Sequence, residues 1–227
     1  MRKFISARNF RFFVVACFAL SCAYLVALLV APQIDLGLDI LTFDDPAIML
    51  YYNLSAIFVL YWPDIIKKWT RYAVSEAMLA MYYGFVFAGL LLGTNLDFYD
   101  LFTYYDFFLH FFSGIILGIL GFAILDNAQR HKSQKMGAGV TAIFAFAFSM
   151  ASGKIWEIYE FGLDTILGTN TQRWADAYGV PFIGQAALHN TMWDMIFNML
   201  GAILIALWGY RRIKRKGWPE GLSIRKV

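Results

Sequence analysis

Charge is scarce in this sequence. Of 227 residues, only 19 are lysine or arginine and 16 aspartate or glutamate, so charged residues make up 15% of the chain. An ordinary soluble domain carries about 25%. With hydrophobic residues at 60%, that shortage excludes a soluble, disordered or repeat-type protein. Cysteine is nearly absent as well. Cys17 and Cys22 fall within one apolar run, which excludes a disulfide framework and a cysteine-based zinc motif. The basic residues form no patch or module suited to nucleic acid. They sit at the edges of apolar runs, as they do beside a membrane.

What is present in quantity is long apolar sequence. A helix needs about 20 mainly apolar residues to cross a bilayer's hydrocarbon layer. Six runs read as spans: 12–31, 46–62, 77–96, 106–125, 137–167 and 190–210. The first has basic residues ahead of it, but a signal-peptide core is only about 7–15 residues long, so this run reads as an anchor. Lysine and arginine set the orientation. With the first residues inside, 17 of the 19 basic residues fall in cytoplasmic segments, Lys154 lies within a span, and only Arg173 lies outside. The first outer loop carries Asp35, Asp39, Asp44 and Asp45 instead. The expected fold is an all-α, polytopic transmembrane helical bundle of six spans with both termini cytoplasmic, a single membrane domain over residues 1–227. The expected location is the bacterial cytoplasmic (inner) membrane, with membrane lipid as the one partner implied and no nucleic acid. The basic stretch Arg211–Lys216 reads as an anchor near anionic lipid.

The spans are not alike. The first three have no charged residue in their interiors and read as scaffold. The last three hold Asp106, His110, Lys154, Glu157, Glu160, Asp164, Asp194 and Asn198, with Asn190 at a boundary. Each ionisable group left alone at mid-membrane costs about 2.5–3.5 kcal/mol. Five carboxylates and a lysine would together exceed the net stability of a typical protein, about 5–15 kcal/mol. They must pair, protonate, bind a cation or face water. Their spacing lets them meet. Asp106 and His110 are four apart. Glu157, Glu160 and Asp164 step by three and four, and Asn190, Asp194 and Asn198 by four, so each set shares one helix face. With the orientation above, all three stripes reach the outer third of the membrane. Gly114, Gly118 and Gly121 continue the Asp106 side inward and suit close helix packing.

The candidate catalytic residues are therefore Asp106, His110, Glu157, Glu160 and Asp194. The same five are the candidate metal ligands. Oxygen-rich ligation with a single deep histidine favours Mg²⁺, Mn²⁺ or Ca²⁺ over zinc. Arg173, Asn190 and Asn198 are candidates for substrate binding. Arg173 sits in the long segment Gly168–His189, where Trp174, Tyr178, Pro181 and Phe182 make an ordered lid over the cluster the expectation. Gly168 is a candidate helix C-cap.

Three blocks carry a resemblance. Tyr105–Gly114 (YDFFLHFFSG), Trp156–Phe161 (WEIYEF) and Trp193–Ala202 (WDMIFNMLGA) resemble the YjdF-type family of bacterial multi-span inner-membrane proteins. That resemblance implies fold and location but no activity. The family's short link before its Trp-Asp-Met block is expanded here into Gly168–Asn190. A fainter likeness joins Asp106/His110/Phe111 and Asp194/Asn198/Gly201 to the VanZ-like family, associated with glycopeptide-antibiotic resistance. Phe107 replaces that family's usual lysine, and Glu160 stands where a glutamine would. This second likeness implies a role at the cell envelope.

Three functions fit these residues. One is an intramembrane, metal-dependent enzyme acting on a lipid or lipid-linked headgroup. Another is a transporter or flippase with carboxylate relays, against which stands the lack of a visible inverted repeat. The third is a non-catalytic structural or binding protein, in which pairs such as Lys154–Glu157 and Asp106–His110 only fix helix register.

Overall fold

The computed structural model describes residues 6–31, 45–176 and 178–227. Asp35, Asp39 and Asp44 lie outside the described residues. The chain divides into two compact units. The first comprises Met1–Tyr105 with Glu220–Val227, the second Asp106–Pro219.

The first unit begins with α1 (Ala7–Val30), capped by the Ser6 hydroxyl, which accepts from Asn9 N. Helix α2 (Pro46–Leu60) starts where Asp45 accepts from Ala47 N and Ile48 N and Pro46 presets the first turn. It stops at Tyr61. Pro63 has no N–H to continue the ladder, and a separate helix, α3 (Trp62–Thr70), takes over. None of the nine residues of α3 is buried. A three-residue strand, β1 (Tyr72–Val74), pairs antiparallel with β2 (Ile224–Lys226), an addition to the expected all-helical picture. Between them in sequence come α4 (Glu76–Val86), which continues without a break as a π-helix over Phe87–Asn95, and the short α5 (Phe98–Leu101). Val14, Phe18, Ala56, Leu60, Tyr83 and Val86 form this unit's apolar core. Beside that core is a polar knot. Asn53 and Asn95 exchange side-chain amide bonds at 3.2 and 2.7 Å, Asn95 also donates to Ser21 Oγ at 3.1 Å, and Asn53 to Met49 O at 2.7 Å.

The second unit is three long helices: α6 (Tyr105–Ala128), α7 (Ala138–Leu167) and α8 (Gln185–Lys216). Helix α7 ends at Gly168, whose φ of 68° is the left-handed cap conformation. Helix α8 starts at Gln185, five residues ahead of the apolar boundary at Asn190, so the connecting segment is 168–184. The helices pack through small residues. A Cβ on Gly114 would strike the backbone oxygen of Asn198, and one on Gly201 that of Phe111, so α6 and α8 touch backbone to backbone there. Ser149 of α7 donates to Gly114 O at 2.9 Å. Lower in the unit, Phe122 stacks on Trp218 with ring centroids 4.6 Å apart.

Five described helical stretches are long and apolar enough to cross a membrane: Ala7–Val30, Glu76–Asn95, Tyr105–Ala128, Ala138–Leu167 and Gln185–Lys216. The run 46–62 appears as the 15-residue α2. It is about 22 Å long.

Candidate functional site

Helical spacing brings the predicted residues of the second unit together. Asp106 stands in the first turn of α6, and His110 follows one turn later on the same face. Nε2 of His110 lies 3.5 Å from Asp106 Oδ1 and 3.9 Å from Asp194 Oδ1 on α8. Its other ring nitrogen, Nδ1, lies 3.8 Å from Glu157 Oε1 on α7. One imidazole thus faces carboxylates from all three helices. Asp106, His110 and Asp194 each offer a ligand atom, and these three atoms lie within 4.8 Å of one another.

The innermost carboxylates are buried. Glu157 is 4% exposed and Asp194 1%. Phe107 of α6 stacks on Phe197 of α8 at 5.2 Å, with Trp193 beside both. Asn190, one turn before Asp194, donates to Asp106 Oδ2 at 3.1 Å. Several polar atoms in this setting receive no hydrogen bond: both carboxylate oxygens of Glu157, Oδ1 of Asp194 and Oδ1 of Asn190. Leaving such an atom buried and unpartnered costs about 1–3 kcal/mol, a cost that a proton, a cation or water would relieve.

The remaining candidates sit around this centre. Glu160 is half-buried and interacts electrostatically with Glu157, Asp106 and Asp194. One of its carboxylate oxygens accepts from Trp156 Nε1 at 2.9 Å. Asn198 lies a turn below Asp194 and donates to Ser113 Oγ, which in turn donates to the His110 carbonyl. Its side chain also fills the space beside Gly153. Its contacts therefore serve helix packing, one layer beneath the imidazole. Lys154 aims its ammonium at Met195 Sδ, 3.0 Å away.

Side-chain hydrogen bonds hold the described residues of segment 168–184, which leave out residue 177. Asp164 collects four donors: Thr169 Oγ1, Thr171 N and Oγ1, and Gln172 N, at 2.6 to 3.0 Å. Asn170 bonds both the N–H and the carbonyl of Ala175. Ala175 bridges to Pro181, and Phe182 N donates to Trp174 O at 2.9 Å. Arg173, held at a left-handed φ of 49°, turns back so that its Nε lies 4.0 Å from Asp106 Oδ2. Gln172 donates to the Glu157 carbonyl at 3.3 Å. Gln172 was absent from the sequence-level candidates. An uncharged side chain in a loop gives no spacing signal.

Between this segment, α7 and the start of α8 lies a cavity of about 510 Å³, with Glu157 in its wall.

The whole cluster falls inside a stretch with known relatives. Residues 13–215 match the family model described as a predicted membrane protein (DUF2238). The chain belongs to this family. An uncharacterized protein of Thermotoga maritima is 30% identical over 151 residues, which cover 66% of this chain and 70% of that protein. No solved structure matches. Membership, together with the long apolar helices, makes the molecule an integral membrane protein whose outer helix faces meet lipid. It assigns no chemistry to the centre in the second unit.

Proposed function

We propose that this DUF2238 protein, of YjdF type, holds a divalent cation between Asp106, His110 and Asp194 in the outer third of a bacterial inner membrane, and acts there on a lipid or cell-envelope headgroup. The observation that carries the reading is the single imidazole facing three helices' carboxylates, two of which keep dry, unpartnered oxygens. A cation bonded at about 2.1 Å to each donor needs them about 3.0–3.5 Å apart, and they lie within 4.8 Å of one another, so the groups need close by about 1.8 Å at most. Glu157, on the Nδ1 side of the ring, would fix the tautomer and aim Nε2 at the ion, the carboxylate–histidine–metal arrangement. Arg173 and Asn190 hold Asp106 from the solvent side. When bound, such an ion supplies Lewis-acid polarisation of a headgroup oxygen. The chain's own residues hold the donors in register and keep water out.

Two contacts in the first unit support the six-span topology. Arg11, near the start of α1, is paired with Asp64, just past α2, and its guanidinium lies over Tyr61. If α1 crosses the membrane, α2 must cross back for those residues to meet. The β1–β2 pair likewise requires an even number of crossings between Val74 and Ile224, and four long apolar helices lie between them. With 17 of 19 basic residues on the side of Arg11, that side reads as cytoplasmic.

The test is a thermal-melt series on the purified full chain with Mg²⁺, Mn²⁺, Ca²⁺, Zn²⁺ and chelator, alongside elemental analysis. A bound ion at 100 times its Kd stabilises by about 2.7 kcal/mol. That shift should vanish in Asp106→Asn and Asp194→Asn and shrink in Glu157→Gln. A wild-type melt insensitive to every ion and to chelator would end the metal reading.

A further inference from the structure

Helix α3, in the first unit, presents a surface of another kind. Trp62, Ile65, Ile66 and Trp69 recur at the spacing of one helix face, and Asp64, Lys67 and Lys68 occupy the opposite one. A helix enclosed by protein or lipid is apolar all round, and one enclosed by water is polar all round. This helix is neither. Its apolar face is left open: Trp62 is 46% exposed, Ile66 42% and Trp69 82%. Its basic residues are exposed as well. Lys67, Lys68 and Arg71, which caps the helix, form no ion pair among the described residues. Asp64, the one acidic residue of α3, is taken by Arg11. Lys226 adds another exposed cation beside Arg71, because β2 sets it opposite Tyr72 and Val227 N donates to Arg71 O.

The pairing of Arg11 with Asp64 sets the first turn of α3 level with the second turn of α1. In the six-span topology proposed above, that level is the cytoplasmic edge of the membrane, and α2 runs toward it. Chain order along α3 then fixes which way a lipid lies. Trp62, Ile65 and Ile66 come first, nearer the hydrocarbon. Lys67, Lys68 and Arg71 come after, nearer the water. Trp69 stands among them, at the headgroup level that tryptophan favours. Acyl chains against the apolar residues therefore point into the bilayer, and the headgroup points out of it. An amphipathic helix with tryptophan on one face and lysine on the other suits a lipid surface, and the surplus of cations suits a negative one.

We propose that the exposed side of α3 binds anionic phospholipid, in that topology the lipid of the cytoplasmic leaflet. The acyl chains lie against Trp62 and Ile66, and the phosphate accepts from Lys67, Lys68 and Arg71. A zwitterionic lipid covers the apolar face equally well but brings an ammonium of its own to the basic residues, so headgroup charge decides the preference. The leaflet rests on the six-span topology. The lipid preference does not, and neither rests on the metal.

The test uses the full chain in phosphatidylcholine nanodiscs that contain a small share of one brominated lipid, either phosphatidylglycerol or phosphatidylcholine, with the bromines at the headgroup end of the acyl chain. The fluorescence of wild type less that of Trp69→Phe isolates Trp69. Its quenching should report phosphatidylglycerol enriched about fivefold over phosphatidylcholine, the factor that one basic residue carries beside anionic lipid. Lys67→Gln, Lys68→Gln and Arg71→Gln together, all at exposed positions, should bring that ratio to about one. High salt should lower it toward one in wild type, an arm that needs no variant to fold. Equal quenching by the two lipids in wild type, or a preference that survives the triple change, overturns the assignment. So does a Trp69 that neither brominated lipid quenches, whether water or a second copy of the chain covers it. Both leaflets of these discs share the same composition, so the ratio is independent of topology. Sidedness is read separately. Lys68→Cys, in a chain carrying Cys17→Ser and Cys22→Ser, should resist an impermeant thiol reagent in intact cells. Labelling there overturns the six-span topology and the cytoplasmic leaflet, while the lipid preference stands or falls on the ratio.

Discussion

Both units bury polar side chains among apolar helices, but they finish them differently. In the first unit, Asn53 and Asn95 satisfy each other and recruit Ser21 and the Met49 carbonyl, so donors and acceptors answer one another within the protein. In the second, Glu157, Asp194 and Asn190 are buried too, yet Glu157 keeps both oxygens, and Asp194 and Asn190 one each, with no donor. Both sets are buried, and only one is satisfied within the protein. A closed amide pair needs nothing further and reads as a device that fixes helix register. A buried cluster of acceptors around one imidazole is left open to a proton, a cation or water.

That contrast can be broken by mutation. The largest effect should come from the closed pair. Asn53→Leu leaves the Asn95 amide unmatched and should cost about 1–3 kcal/mol in a reversible unfolding assay. The double change Asn53→Leu with Asn95→Leu should recover most of that loss, because no polar group is then stranded. A double variant as weak as the single would mean that the knot does more than satisfy itself. A smaller effect, opposite in sign, is expected from the open cluster. In chelator, Asp194→Asn should leave stability unchanged or raise it by about 1 kcal/mol, since it relieves crowded acceptors. With the ion present the same variant should be the less stable protein. A large loss in chelator would show that Asp194 is already paired structurally, and the contrast would fail. The smallest effect concerns segment 168–184. Asp164→Asn turns one acceptor into a donor facing Gln172 N and should cost about 1 kcal/mol or less. Hydrogen exchange at Thr171 and Gln172 should quicken, and unchanged protection would mean that Asp164 does not organise the segment.

The long apolar runs and the stripes of charge were readable because they rest on helical period and on the cost of charge in lipid. Asp106, His110, Glu157 and Asp194 stand on faces that spacing alone defines, and they meet. The glycine row was readable for the same reason, though its partners, Asn198 O for Gly114 among them, were not. The Asn53–Asn95 pair carries no formal charge, so the cost of charge in lipid does not mark it. A lone asparagine in each of two otherwise apolar spans was the available signal. The π-helix over Phe87–Asn95 and the three-residue strands carry no local mark. Both depend on contacts distant in sequence. Pairing of Lys154 with Glu157 was one of the alternatives that spacing left open, and the Lys154 ammonium lies 3.0 Å from Met195 Sδ.

The β1–β2 pair also bears on how the molecule is made. Tyr72 finds its partner in Lys226, and Val227 N donates to Arg71 O. Ser75 bonds Ser223 and Gly221 in the same corner. The first unit is therefore discontinuous in the chain, interrupted by the whole of Asp106–Pro219. A ribosome adding ~5–20 residues per second needs on the order of ten seconds to deliver the second strand after the first. During that interval the edge of β1 is unclosed, while the contiguous second unit emerges in one piece. The centre around His110 can thus assemble before the second strand pairs with the first and closes the scaffold.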